Sequence, residues 1–153
     1  MEQILNSLKT LIDPLAGKAA ATLGEDEHNV SKAVSGILPA LLVRLAAKGN
    51  SPQVENAIMD AARANVLPHL SAVFGTKGEV EQKSIGNRLF RALTGDKSEN
   101  FIYAVSEESG LSEQSAHQLT DMISTAVAGY FGDKITNGGY SLGSLASELN
   151  KEK

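Results

Sequence analysis

Cysteine is absent from the 153 residues, and with it go disulfides, thiol nucleophiles and thiolate metal sites. That absence fits a reducing or an oxidising compartment equally. Aromatic residues make up only 5% of the chain, so a core has to be built from aliphatic side chains. Cations are in deficit: 14 Lys and Arg stand against 18 Asp and Glu, a net charge of -4. Nucleic acid and anionic membranes repel such a chain at long range, which argues against both as partners and leaves only local basic patches to consider. Sustained period-two alternation is missing, so nothing reads as a sheet. Nucleotide-site signatures are missing too: there is no phosphate loop ending in Lys-Ser/Thr and no dinucleotide fingerprint. His28, His69 and His117 are scattered, with neither a calcium-binding loop nor a His-x3-His pair, so no metal, cofactor or catalytic residue is expected. Glu2 stands where a signal peptide carries basic residues, and the expected location is cytoplasmic.

What remains is helical punctuation. Ile4, Leu5, Leu8, Leu11 and Ile12 recur at three- and four-residue spacing and predict an amphipathic helix ending near Pro14. A short helix then runs to Gly24, followed by Glu25, Asp26 and Glu27, three acids suited to the positive end of the next helix. That helix, "NVSKAVSGILPALLVRLAAKG" from Asn29 to Gly49, carries Val30, Val34, Ile37, Leu38, Leu41, Leu42 and Leu45 over a broad face, which predicts the central helix of the fold. Its uninterrupted apolar run, Gly36 to Val43, is too short for the ~20 residues of a membrane span. Pro39 lacks the N–H that would bond the Ser35 carbonyl, and a kink is expected at Gly36 and Pro39. Ser51, Ser98 and Ser112 are candidate N-caps. The stretch "GTKGEVEQ" reads as an exposed loop, and Leu142, Leu145 and Leu149 suggest a short terminal helix. Residues 1–150 are therefore expected to form a single all-α domain, with 151–153 a charged tail.

Aligning Gly24 with Gly110 pairs Ile37 with Ile123 and Leu41 with Val127, so both halves read as short helix, glycine, long helix: two helix-turn-helix-like pairs in quasi-repeat. "LGEDEHNVSKAVSGILPALLVRLAAKG", "LFRALTGDK" and "ESGLSEQSAHQLTDMISTAVAGYFGDKI" resemble the YidB-like bacterial family, Domain of Unknown Function 937, and the resemblance takes in the late "SLGSLASELN". It implies an all-helical fold with a homeodomain-like motif and no established activity. Many relatives carry a second proline where this chain has Thr125. The family supplies no functional residues to carry over.

The grammar of "VSEESGLSEQSAHQLTD" raises DNA binding, but the helix after Gly110 has no Lys or Arg before Lys134 and gains little from phosphates. The most basic segment holds Lys83, Arg88, Arg91 and Lys97, the expected contact for an anionic partner. The leading expectation is a non-enzymatic module that binds a protein partner or itself, through a surface beside the first long helix or on the small-residue face Ala57, Ala61, Ala62 and Ala64. A DNA binder using Arg88 and Arg91, and an enzyme whose site is dispersed in the sequence, are the alternatives. Pro39→Ala is expected to straighten the first long helix; it should move the melting temperature and the backbone chemical shifts around Ser35, and unchanged values of both would contradict the kink.

Overall fold

The computed structural model describes residues 2–48, 51–75, 81–139, 141, 143–144 and 147. Among them there is no strand: the fold is all-α. Helix α1 (Glu2–Ile12) turns Ile4, Leu8 and Ile12 inward. A single 3-10 turn at Asp13–Leu15, with Pro14 pre-set for it, leads into α2 (Ala16–Leu23). Gly24 ends α2 at φ 68°, ψ 35°, a left-handed cap that a side chain would strain. Asp26 then starts α3 (Glu27–Lys48), its Oδ1 accepting from the His28 N–H at 2.8 Å.

Pro52 opens α4 (Pro52–Arg63). A 3-10 turn at Leu67–His69 precedes the short α5 (Leu70–Phe74), and α6 (Glu81–Thr94), α7 (Ser98–Ser109) and α8 (Glu113–Asn137) complete the helices. Of the three expected serine caps, Ser51 and Ser112 hold the N-cap position, and of these Ser112 makes the side-chain bond, accepting from the Ser115 N–H at 3.1 Å. Ser51 instead bonds Gln53 at 2.7 Å. Ser98 is already inside its helix, buried, and returns its hydroxyl to the Gly95 carbonyl at 2.9 Å. Within the expected 75–82 loop, 81 and 82 already belong to α6, while 76–80 lie outside the described residues. So do Leu142, Leu145 and Leu149 of the expected terminal helix, and the 151–153 tail.

The centre of the fold is α8, not α3. Met122 to Gly129, eight consecutive residues of α8, are all buried, so this helix is covered on every side. Helices α4 and α6 pack on it and on each other, while α3, bracketed by α2 and α7, closes another side. The seven aliphatic residues of α3 expected to be core are at most 2% exposed. At 22 residues α3 is nonetheless long and apolar enough by length and composition to cross a membrane, which corrects the expectation from its shorter apolar run; here its aliphatic face is core.

Two glycines let the inner helices come together. A Cβ on Gly86 of α6 would overlap the Thr125 hydroxyl and the Asp121 carbonyl of α8 and lie 2.6 Å from the Thr125 nitrogen. One on Gly132 of α8 would lie 2.9 Å from the Ile58 carbonyl and 3.0 Å from the Ala62 nitrogen of α4. Ala57 and Ala61 are buried in this same packing, so the expected small-residue face is largely spent inside the molecule. Gly36 of α3 differs: a Cβ there would meet nothing within 4 Å. Gly86→Ala is therefore expected to destabilise the fold by about 1–3 kcal/mol or more, and Gly36→Ala to stabilise it by about 0.5–1 kcal/mol. Urea unfolding of the two variants measures both, and equal effects would refute the distinction.

Candidate functional site

Two helices, α3 and α7, form the walls of a trough of about 490 Å³. On α3 it is lined by Lys32, Gly36, Ala40 and Arg44, four residues apart and so stacked along one face. On the α7 side it is lined by Lys97, Phe101, Val105 and Glu108 among others. Phe101 forms apolar floor, fixed edge-to-face against Phe90 with ring centroids 5.1 Å apart. The guanidinium of Arg44 lies over the Phe101 ring, 5.0 Å from its centroid, and donates to the Ala40 carbonyl at 3.1 Å. Val43, seven residues beyond Gly36 and on the same side of α3, is 49% exposed.

The charges of the trough are unbalanced. Among the described residues, Lys32, Arg44 and Lys97 make no ion pair, and Glu108 is the one acid in the lining. On another face, Asp60 of α4 takes Arg63 at 2.6 Å and Arg88 at 2.8 Å.

A second polar cluster lies in the seam between α6 and α8. Lys83, Asn87 and Arg91 follow one another at four-residue spacing on α6, opposite His117 and Asp121 on α8. Asn87 donates to Asp121 at 3.0 Å and receives Arg91 Nε at 3.2 Å. His117 Nε2 stands 3.6 Å from the Asp121 carboxylate. Loss of hydration pushes the Asp121 carboxyl above the usual aspartate range, against the pull of Asn87, His117, Arg91 and Lys83. Burial likewise pushes the Lys83 amine below the usual lysine range, with Asp121 opposing.

The four residues expected to meet an anionic partner are thus not brought together. Lys83 is 5% exposed in the seam, Arg88 is bound to Asp60, Arg91 leans on Asn87, and Lys97 alone faces the trough. Lys97 is joined there by Lys32 and Arg44, which sequence reasoning passed over; the signal was the four-residue spacing of Lys32, Gly36, Ala40 and Arg44. Of the two expected kink residues, Gly36 lines the trough and Pro39 is half-buried within an unbroken helix.

The turns after α2 and α7 face each other. Gly110 adopts φ 86°, ψ 2°, as Gly24 adopts its own left-handed geometry. The Glu25 carboxylate accepts from the Ser112 backbone N–H at 3.3 Å and from its hydroxyl at 3.2 Å. A Cβ on Gly110 would stand 3.2 Å from Asn29 Nδ2. The start of α8, where a recognition helix would meet DNA, is occupied by an acid from the other half.

The model of a protein family described as bacterial protein of unknown function (DUF937) matches residues 6–134. The chain belongs to the DUF937 family. The match runs from α1 into the last turns of α8 and includes both turns, the trough and the polar seam; it stops short of the "SLGSLASELN" stretch that the sequence resemblance took in. No curated protein and no solved structure matches the chain.

The seam carries a pH signature. A folded carboxyl that keeps its proton more readily than the unfolded one contributes most while protonated, and its contribution falls as pH rises from the ordinary aspartate value through the raised one. The lowered Lys83 has the opposite slope, at pH values below the ordinary lysine range. The stability of the wild type relative to Asp121→Asn is therefore expected to decline with rising pH just above the ordinary aspartate range; a flat difference in chemical denaturation across that window would contradict it.

Proposed function

We propose that the protein is a non-enzymatic interaction or assembly module whose contact surface is the trough between α3 and α7. The observation that carries this reading is the combination of a fixed apolar floor with three cations that have no acidic partner among the described residues. An apolar centre with charged margins is the anatomy of a recognition surface. The floor gives affinity by excluding water, while the margin selects the partner.

A DNA binder derived from the helix-turn-helix-like pair of α7 and α8 is the competing reading, favoured by the short turn at Gly110. Three observations weigh against it. Glu25 caps the start of α8, Arg88 is neutralised by Asp60, and Lys83 is buried.

Gly36→Leu fills the trough from a position with free space around it. In affinity capture from the native host, this variant is expected to lose the partner by about tenfold or more, with its melting temperature retained; Tyr103→Ser, which alters an exposed residue of α7 away from the trough lining, should capture normally. Identical capture by all three proteins would sink the proposal. Duplex DNA binding at low salt that is lost in Arg88→Ala and Arg91→Ala would favour the competing reading instead.

A further inference from the structure

We infer that the occupant of the trough is an amphipathic α-helix of another protein, bearing acidic side chains along the edges of its apolar face. This rests on the reading of the trough as the contact surface and adds the chemistry of the partner.

Three observations converge on it. The first is Gly36. A glycine inside a helix costs about 1 kcal/mol relative to alanine, and at Gly86 and Gly132 the packing of the chain itself requires it. Gly36 has no such reason: a Cβ would meet nothing within 4 Å, and its φ is not in the left-handed region. The missing Cβ opens the trough to the outside, where another backbone can come close.

The second is shape. Lys32 and Arg44 are twelve residues apart on one helix, about 18 Å along its axis. A trough three turns long between two parallel walls of side chains takes an elongated occupant, and a helix laid in a groove reads such a surface at three- and four-residue intervals.

The third is charge. Lys32 and Arg44 mark the two ends of the α3 wall and Lys97 the opposite wall, in a chain whose net charge is -4. A second copy presenting its own α3 would set Lys32 and Arg44 against like charges, whereas an acidic helix meets all three. Arg44 is already oriented by Phe101 and the Ala40 carbonyl, so little rotamer freedom is lost when it pairs.

The test is selection from a display library of random helical peptides on the full-length protein, with affinities of the enriched peptides measured for wild type, Gly36→Leu and the double variant Lys32→Glu, Lys97→Glu. The two lysines are exposed, so the double variant reports even where Gly36→Leu perturbs folding. Enriched peptides are expected to be acidic and amphipathic, to weaken with added salt, to bind Gly36→Leu about tenfold less tightly or worse, and to be replaced by cationic peptides on the double variant. Neutral or cationic peptides that still depend on Gly36 would overturn the acidic partner and leave the contact surface standing. Peptides bound equally by wild type and Gly36→Leu would overturn both. Concentration-dependent self-association abolished by Gly36→Leu would make the occupant a second copy and overturn the inference.

Discussion

The structure depends on how closely three helix backbones can approach. Gly86 brings α6 onto the backbone of α8 at Asp121 and Thr125, and Gly132 brings α8 onto α4 at Ile58 and Ala62. With these contacts made, α8 has no face left for water over eight residues, and its side chains there must be small, apolar or able to satisfy their own polar atoms. Thr125 does the last by returning its hydroxyl to the carbonyl four residues earlier at 2.7 Å, as Thr120 does just before the stretch, also at 2.7 Å. Close approach thus dictates the composition of α8, and the composition makes the approach permissible.

The second organising contact joins the two halves at their turns. Left-handed glycines end α2 and α7, and the residues just beyond them meet: Glu25 reaches the Ser112 cap of α8, and Asn29 of α3 covers Gly110. A carboxylate at a helix N-terminus is favoured by the helix dipole as well as by the hydrogen bonds it accepts. Each half therefore helps to terminate the other. The same contact gives a motif with DNA-binding grammar a packing role, since the end of the helix that would read bases already holds a negative charge.

Much of this was legible in the sequence because local chemistry decides it. The inward residues of α1, the glycine caps at Gly24 and Gly110, the Ser112 cap and the seven aliphatic residues of α3 all follow from spacing and conformational preference. The centre of the fold is not legible in the same way, because hydrophobicity alone does not mark burial. Helix α8 buries Thr120, Ser124, Thr125, Ala128 and Gly129, small or weakly apolar residues that let backbones close in. The place of Lys83 is not legible either, for a related reason. Its burial depends on α8 lying across α6, a contact between segments over thirty residues apart that no local pattern encodes. Of the trough, the α3 stripe was readable, but the Phe101 opposite it becomes a floor only once α7 packs against α3.

Position 39 and Thr125, its counterpart in the alignment of the halves, meet the same need differently. Pro39 withholds a donor from the Ser35 carbonyl; Thr125 supplies its hydroxyl to the corresponding carbonyl, that of Asp121. The difference follows from surroundings. Ser35 is exposed, so water can satisfy a carbonyl left without its helical partner. Asp121 is in the seam under Gly86, where an orphaned carbonyl would be costly. The outer helix can therefore tolerate a proline, and beside it a glycine with open space, while in this chain Thr125 keeps the inner carbonyl bonded. The proline and the one of these glycines that packing does not require thus both fall on α3, and the glycine lines the trough.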